Sequence, residues 1–203
     1  MKILFGSWPA YGHLLPMVPL IRAAQRGGHD VVVSSGADML TVIDQLGITA
    51  HASGLTLAES YARMPDHSTI SELPAEEQPA FAAQHLFGAG AADRARDLLD
   101  LVDSWRPDLV VHDTLELGSA TAAAMRGIPQ VTHGYGPMVP GSGYFAAAIG
   151  SAISGAGLPD PSPTSWPRRT WTSAHPASVD SGRTRGWRPS RCSRHQASST
   201  RTR

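Results

Sequence analysis

The chain has 203 residues, 41% of them hydrophobic, and 17 Lys+Arg balance 17 Asp+Glu; this is globular-protein composition with room for one large domain or two small ones. A single cysteine, Cys192, excludes an intrachain disulfide framework, and no apolar run is long enough to span a bilayer. The neutral total hides a division: residues 1–161 carry 8 basic and 16 acidic side chains, and residues 162–203 carry 9 arginines and one acid, Asp180.

Lys2-Ile3-Leu4-Phe5 reads as a short buried strand, entered directly from the N-terminus with no signal peptide. Gly6 to Gly12 is a loop of small and turn-prone residues. From His13 the apolar residues Leu14, Met17, Val18, Ile21 and Ala24 recur at helical spacing, and Gly27-Gly28 stops that helix. His13 therefore stands at a helix start beside the carboxyl end of a first strand, the edge where open α/β sheets bind ligands. Imidazole can be neutral near pH 7 and accept a proton, and such a base calls for a carboxylate on its other ring nitrogen. The plain alternative is a solvated loop histidine.

His29 to Ser35 is a second strand, β-branched and buried; Ala37 to Leu46 is a helix closed by Gly47; Ile48 to Ala52 is a weaker third strand. This alternation predicts a parallel sheet with right-handed crossovers. Residues 54–78 break the pattern with Gly54, Pro65, Pro74 and no sustained period, and read either as a lid or acceptor-facing loop or as disorder. Pro79 to Trp105 is a long helix softened at Gly88 and Gly90. Pro107 to Asp113 is the clearest strand in the chain. Leu117 to Arg126 is a small-residue helix stopped by Gly127, and Ile128 to His133 is the next strand. Gly134-Tyr135-Gly136-Pro137 turns out of it, and Tyr144 to Ser154 is an Ala-rich helix.

Asp113 ends one strand as His13 follows another, so a doubly wound order brings both to one sheet edge; the alternative is that Asp113 caps the following helix. His133 is a weaker candidate for lining the same cleft. His112 alternates away from Asp113 and falls outside it.

With those residues in place, the chain resembles the N-terminal domain of family-1 glycosyltransferases of the GT-B fold, in particular the actinobacterial type that glycosylates antibiotics and other natural products. The likeness is carried by the Lys2–Phe5 strand, Gly12-His13-Leu14-Leu15-Pro16, His29-Asp30-Val31-Val32-Val33, Arg106 to Asp113, and Gly127-Ile128-Pro129. It runs from Met1 to about Pro161. The resemblance implies that His13 deprotonates an acceptor hydroxyl, that Asp113 pairs with it, and that the oxygen displaces a nucleoside diphosphate (UDP or dTDP) from the sugar with inversion. It also implies an acceptor lining that includes Trp8, Tyr11, Gly12 and His133. The co-substrate is a nucleotide-sugar; no metal and no cofactor is expected, and no Gly-x-Gly-x-x-Gly follows the first strand.

The family's nucleotide-binding domain, with its His-Gly-Gly-x-Gly-Thr-like loop, has no match here. Residues 162–203 contain no Leu, Ile, Met, Phe, Tyr, Lys, Glu or Asn. Such a segment cannot bury enough apolar area to offset its ordering entropy. One reading is a basic nucleic-acid tail with Trp166, Trp171 and Trp187 as stacking platforms. The preferred one is a frameshifted end: with one base restored after the Pro161 codon, Ser162 to Val179 can be read as a helix-like start, then an aliphatic strand, then Pro-Pro.

The expected protein is thus α/β: a doubly wound open parallel sheet over 1–161, the acceptor-binding half of a GT-B fold, with a disordered tail over 162–203. It is expected to be cytoplasmic, to take a small-molecule acceptor and not nucleic acid, and to be inactive alone for want of a donor domain. The alternative function is non-catalytic small-molecule binding.

Overall fold

The computed structural model describes residues 1–134 and 142–161. All of them lie in one contact unit. The turn expected at Tyr135 to Pro137 and the tail expected over 162–203 lie outside the described residues.

Five parallel strands form one sheet in the order β3-β2-β1-β4-β5. They are β1 (Lys2–Gly6), β2 (Asp30–Ser35), β3 (Thr49–Ala52), β4 (Leu109–Asp113) and β5 (Gln130–His133). The order reverses direction at β1, which pairs with β2 on one side and β4 on the other. This is the Rossmann-like arrangement, in which ligands bind at the carboxyl edge beside the reversal. The register sets Phe5 against Val111 and Asp113 against His133.

Strand periodicity divides the side chains between two faces. Ile3, Phe5, Val31, Val33 and Val111 point to one face and pack on Leu14, Met17, Ile21, Met39 and Ile43. These come from the helical run α1 (Tyr11–Leu14) and α2 (Val18–Arg26), and from α3 (Leu40–Gln45) with the 3-10 turn before it. Leu4, Val32 and Val110 point to the other face and pack on Leu98, Val102, Ala122 and Ala123. Burying each such aliphatic side chain stabilises the fold by about 1.5–3 kcal/mol.

Three helical regions depart from the simplest reading. The first helix starts at Tyr11, two residues before His13, and passes through a 3-10 turn at Leu15–Met17. Pro16 and Pro19 explain the interruption, because neither has an N–H for the bond to the preceding turn. Residues 54–78 are not wholly irregular: α4 (Leu57–Ala62) and α5 (His67–Ser71) form there. Helix α4 is started by Thr56, whose hydroxyl accepts from Glu59 N–H while the Glu59 carboxylate accepts from Thr56 N–H. The long helix begins as α6 (Gln78–Ala83), loosens into a π-turn at Gln84–Gly88 and continues as α7 (Ala89–Trp105).

Helix α7 ends at Arg106, a left-handed residue at φ 54°. Helix α8 (Leu117–Arg126) has the bounds expected from its composition and ends at the left-handed Gly127. Helix α9 (Ser142–Gly155) adds Ile149 and Ile153 to a third cluster with Ala91, Leu117 and Ala120. Among the described residues, no helix is long and apolar enough to cross a membrane.

Candidate active site

Strand alternation puts the Asp113 side chain on the face of Val111, where α1 lies. His13, third residue of α1, meets it there: Nδ1 stands 3.0 Å from Asp113 Oδ1. The pair is asymmetric in exposure, His13 at 13% and Asp113 at 0%. A part-buried imidazole is thus backed by a fully buried carboxylate.

Among the described residues, every further bond to that carboxylate comes from backbone. Oδ2 accepts from Trp8 N–H at 2.7 Å. Oδ1 accepts from Leu115 N–H at 2.8 Å and Glu116 N–H at 3.2 Å as well as from His13. Asp113 therefore pairs with His13 and braces the turn that leads into α8; the cap of α8, the alternative role, belongs to Glu116. Burial raises its pKa, but the His13 hydrogen bond and charge and the Trp8 and Leu115 amides outweigh this and hold it below the ordinary carboxylate value.

An ionised Asp113 accepts from Nδ1–H of His13. That fixes the neutral tautomer with its proton on Nδ1 and its lone pair on Nε2, the arrangement of a general base with an orienting carboxylate. The imidazole is packed by rings: Trp8 at 5.2 Å between centroids and Phe87 at 6.1 Å, with Trp8 and Phe87 edge to face at 4.8 Å.

The other expected site residues take different stations. Trp8 is only 7% exposed and stands beside His13 as packing. Tyr11 is 58% exposed on α1, and Gly12 is exposed next to it, with nothing within 4 Å of the position a Cβ would take. His133 lies beside Asp113 through the β4–β5 register and lines an apolar groove of about 270 Å3 with Leu20 and Ala24 of α2 and Val111 and Val131 of the sheet. Burial lowers the His133 pKa, against the raising effects of the Asp113 charge and a backbone hydrogen bond. His112 is buried on the opposite face, where its ring nitrogens meet the Asp113 carbonyl at 2.9 Å and the Thr132 hydroxyl at 3.1 Å. Among the described residues, no group of three or more His, Cys, Asp or Glu could hold a metal ion.

Two features were not read from the sequence. Phe87 enters the site from the π-turn at Gln84–Gly88; Gly88 marks the softened place in the helix, but nothing in the sequence aims Phe87 at His13. Arg94 is buried in the middle of α7. It had a signal: it falls on the same helical stripe as Ala91, Ala95, Leu98 and Val102, where a charged residue is anomalous.

Comparison with known proteins follows the same lines. The model of the erythromycin biosynthesis protein CIII-like N-terminal domain matches residues 22–156, a span that includes Asp113 and His133 and begins beyond His13. L-demethylnoviosyl transferase of Streptomyces niveus is 33% identical over 148 residues, covering 73% of this chain and 38% of that protein. Aclacinomycin-T 2-deoxy-L-fucose transferase of Streptomyces galilaeus is 30% identical over 153 residues, covering 63% of this chain and 35% of that protein. The glycosyltransferase SnogD of Streptomyces nogalater superposes with a TM-score of 0.61 at 29% identity, over 77% of this chain and 40% of that one. SsfS6 of Streptomyces sp. SF2575, in its complex with thymidine diphosphate, superposes with a TM-score of 0.61 at 25% identity, over 79% of this chain and 46% of that one. These solved neighbours are GT-B glycosyltransferases. The chain spans well under half the length of the curated relatives it matches.

Proposed function

Because the chain belongs to the family of erythromycin biosynthesis protein CIII-like N-terminal domains, whose relatives transfer sugars in natural-product biosynthesis, we propose that it is the acceptor-holding part of an inverting glycosyltransferase in which His13 is the base. The observation that carries this reading is the 3.0 Å contact between His13 Nδ1 and the fully buried Asp113. With Nδ1–H donated to Asp113, Nε2 takes the proton of an acceptor hydroxyl. The oxygen attacks the anomeric carbon of a nucleotide-sugar, the bond to the diphosphate breaks, and the diphosphate leaves with the electron pair. The imidazolium formed is held by the Asp113 charge.

The acceptor is a small natural-product molecule with a hydroxyl group, bound along the exposed flank of α1 at Tyr11 and Gly12, with His133 at the neighbouring strand end. The donor is a UDP- or dTDP-sugar. Its diphosphate needs a cradle of backbone N–H groups at a helix N-terminus, and transfer needs both reactants within attack distance. A donor domain such as those in the rest of the relatives' length is expected to supply both.

The test is product formation with a panel of nucleotide-sugars and aglycones, measured for the 203-residue chain and for residues 1–161 joined to the donor half of a relative. Little or no turnover by the first and measurable turnover by the second is the expected result. In the joined protein, His13→Ala should lower kcat by about 100-fold or more, the usual size of a general-base contribution, with a smaller effect on acceptor affinity. Unimpaired turnover by that variant would mean His13 is not the base. Robust turnover by the chain alone would mean that it needs no separate donor half.

A further inference from the structure

Arg94 is 3% exposed at the centre of α7. Its Nε donates to the Ser53 carbonyl at 3.2 Å, and its Nη1 donates to the Ser7 carbonyl at 3.0 Å and lies 3.5 Å from Glu116 Oε1. Glu116 in turn caps α8, accepting from Ser119 N–H at 3.0 Å. One guanidinium thus ties together the loops after β1 and β3 and the start of α8.

Room for this cluster is made by glycines. A Cβ at Gly54 would stand 2.8 Å from Arg94 Cβ and 2.9 Å from its Nε. One at Gly118 would stand 2.7 Å from the Ala91 carbonyl and 2.9 Å from both Arg94 Cβ and Glu116 Oε1. One at Gly6 would collide with Ser119 Oγ and Glu116 Oε2. Around it Ser7, Ser34, Ser35 and Ser53 are all buried; Ser35 Oγ donates to the same Ser7 carbonyl at 2.9 Å, and the Ser34 and Ser53 hydroxyls meet at 2.5 Å.

The Ser7 carbonyl and the Trp8 N–H belong to one peptide group. Arg94 donates to its oxygen, and its N–H donates to Asp113 Oδ2 at 2.7 Å. A cation on the carbonyl draws electron density toward oxygen and makes the N–H of the same amide a stronger donor, the cooperative effect of linked hydrogen bonds. The series runs from Arg94 through the Ser7–Trp8 peptide and Asp113 to His13.

We propose that Arg94 is a positioning residue for the His13–Asp113 pair: through the single Ser7–Trp8 peptide it fixes the Asp113 carboxylate and sharpens the Trp8 N–H that holds it. The proposal rests on His13 and Asp113 acting as base and partner, but its mark is spectroscopic and can be read without sugar transfer.

The test is NMR on the 203-residue chain, following the Trp8 amide and the His13 Nδ1–H proton. Two variants are compared with the parent: Arg94→Met combined with Glu116→Gln, which leaves no lone buried charge and keeps a capping oxygen on α8, and Arg94→Lys, which keeps the charge and loses the forked donor. In the double variant the Trp8 amide should move upfield and exchange about tenfold faster, as fits the weakening of one charge-assisted hydrogen bond, and the His13 Nδ1–H signal should move upfield or broaden. Arg94→Lys should fall between parent and double variant. Amides of β2 at Val32 and Val33 serve as the control and should keep their protection.

A lowered melting temperature with unchanged Trp8 amide and His13 Nδ1–H signals in either folded variant would overturn the proposal and leave Arg94 as packing. If the double variant does not fold, the Lys variant carries the same readout. Failure of the glycosyltransferase reading would appear in product formation and leave these signals as they are.

Discussion

His13 and Asp113 are one hundred residues apart in the chain and 3.0 Å apart at Nδ1 and Oδ1, and the acid is the member of the pair bound from every side. Three backbone N–H groups and one imidazole converge on it. Its ionised form is therefore part of the folded state as well as part of the site.

That has a pH consequence. Asp113 is held below the ordinary carboxylate value, so its stabilising contribution is fully present above the unfolded pKa of about 3.9 and is lost as pH falls through the lower folded value. Asp113→Asn should cost about 1–3 kcal/mol at pH 7, because an amide cannot accept on both sides and leaves a buried N–H unmatched. Its acid limb should be shallower than that of the parent. Urea midpoints from pH 7 down to pH 2 measure both effects; parallel curves would show that Asp113 titrates alike in the folded and unfolded chains.

His133 loses stability in the same direction as pH falls, but in a higher pH window. Burial lowers its folded pKa, so the unfolded chain takes up a proton first as pH falls below about 6.5, and stability declines from there down to the folded value. His133→Asn should flatten the urea midpoint between pH 7 and pH 5 relative to the parent. The imidazole resonances of His133 should titrate below those of a free histidine; a midpoint at or above the free value would mean that the Asp113 charge outweighs burial.

Two glycines separate backbone strain from crowding. Gly54 has φ +64° and Arg94 against the position of a Cβ, whereas Gly127 has φ +65° and nothing within 4 Å of that position. Gly127→Ala should cost about 1–2 kcal/mol, the penalty of a left-handed side chain. Gly54→Ala should cost more, by about 1–3 kcal/mol of overpacking. Denaturant midpoints of the two variants decide it, and equal losses would show that Arg94 yields without resistance.

Thr56→Ala should cost about 1 kcal/mol by removing the cap of α4. The loss should be local: amides at 58–62 exchange faster while those of β1 and β4 do not. Faster exchange throughout the sheet would show that α4 is coupled to the core.

Most of the sheet was legible because buried parallel strands are short β-branched runs with sharp ends, as at Val31-Val32-Val33 and Leu109-Val110-Val111. Their carboxyl ends can be placed together from the pattern alone, and in a doubly wound order that brings His13 and Asp113 to one edge. The helix ends are less legible where proline and the π-turn change the local bonding: Tyr11 reads as loop because the apolar stripe starts only at Leu14. The Thr56-Leu57-Ala58-Glu59 capping signature sits in a stretch that reads as irregular, since helices of five or six residues show too few turns for a period. Arg94 was missed for a different reason. Its place on the apolar stripe marks it as anomalous, but the Ser7 and Ser53 carbonyls and the Glu116 carboxylate that compensate it come from distant segments, and no local pattern names them.

The strand order puts the first strand made in the middle of the sheet. During synthesis β2 and β3 can join β1 early, but its other edge waits for Leu109–Asp113. At about 5–20 residues per second that wait lasts about 5–20 s, in which a nascent β1 presents an unpaired backbone edge and Leu4 still lacks its neighbour Val110. The ribosome thus releases the two halves of the His13–Asp113 pair seconds apart, and the imidazole acquires its orientation only when the fourth strand closes that edge.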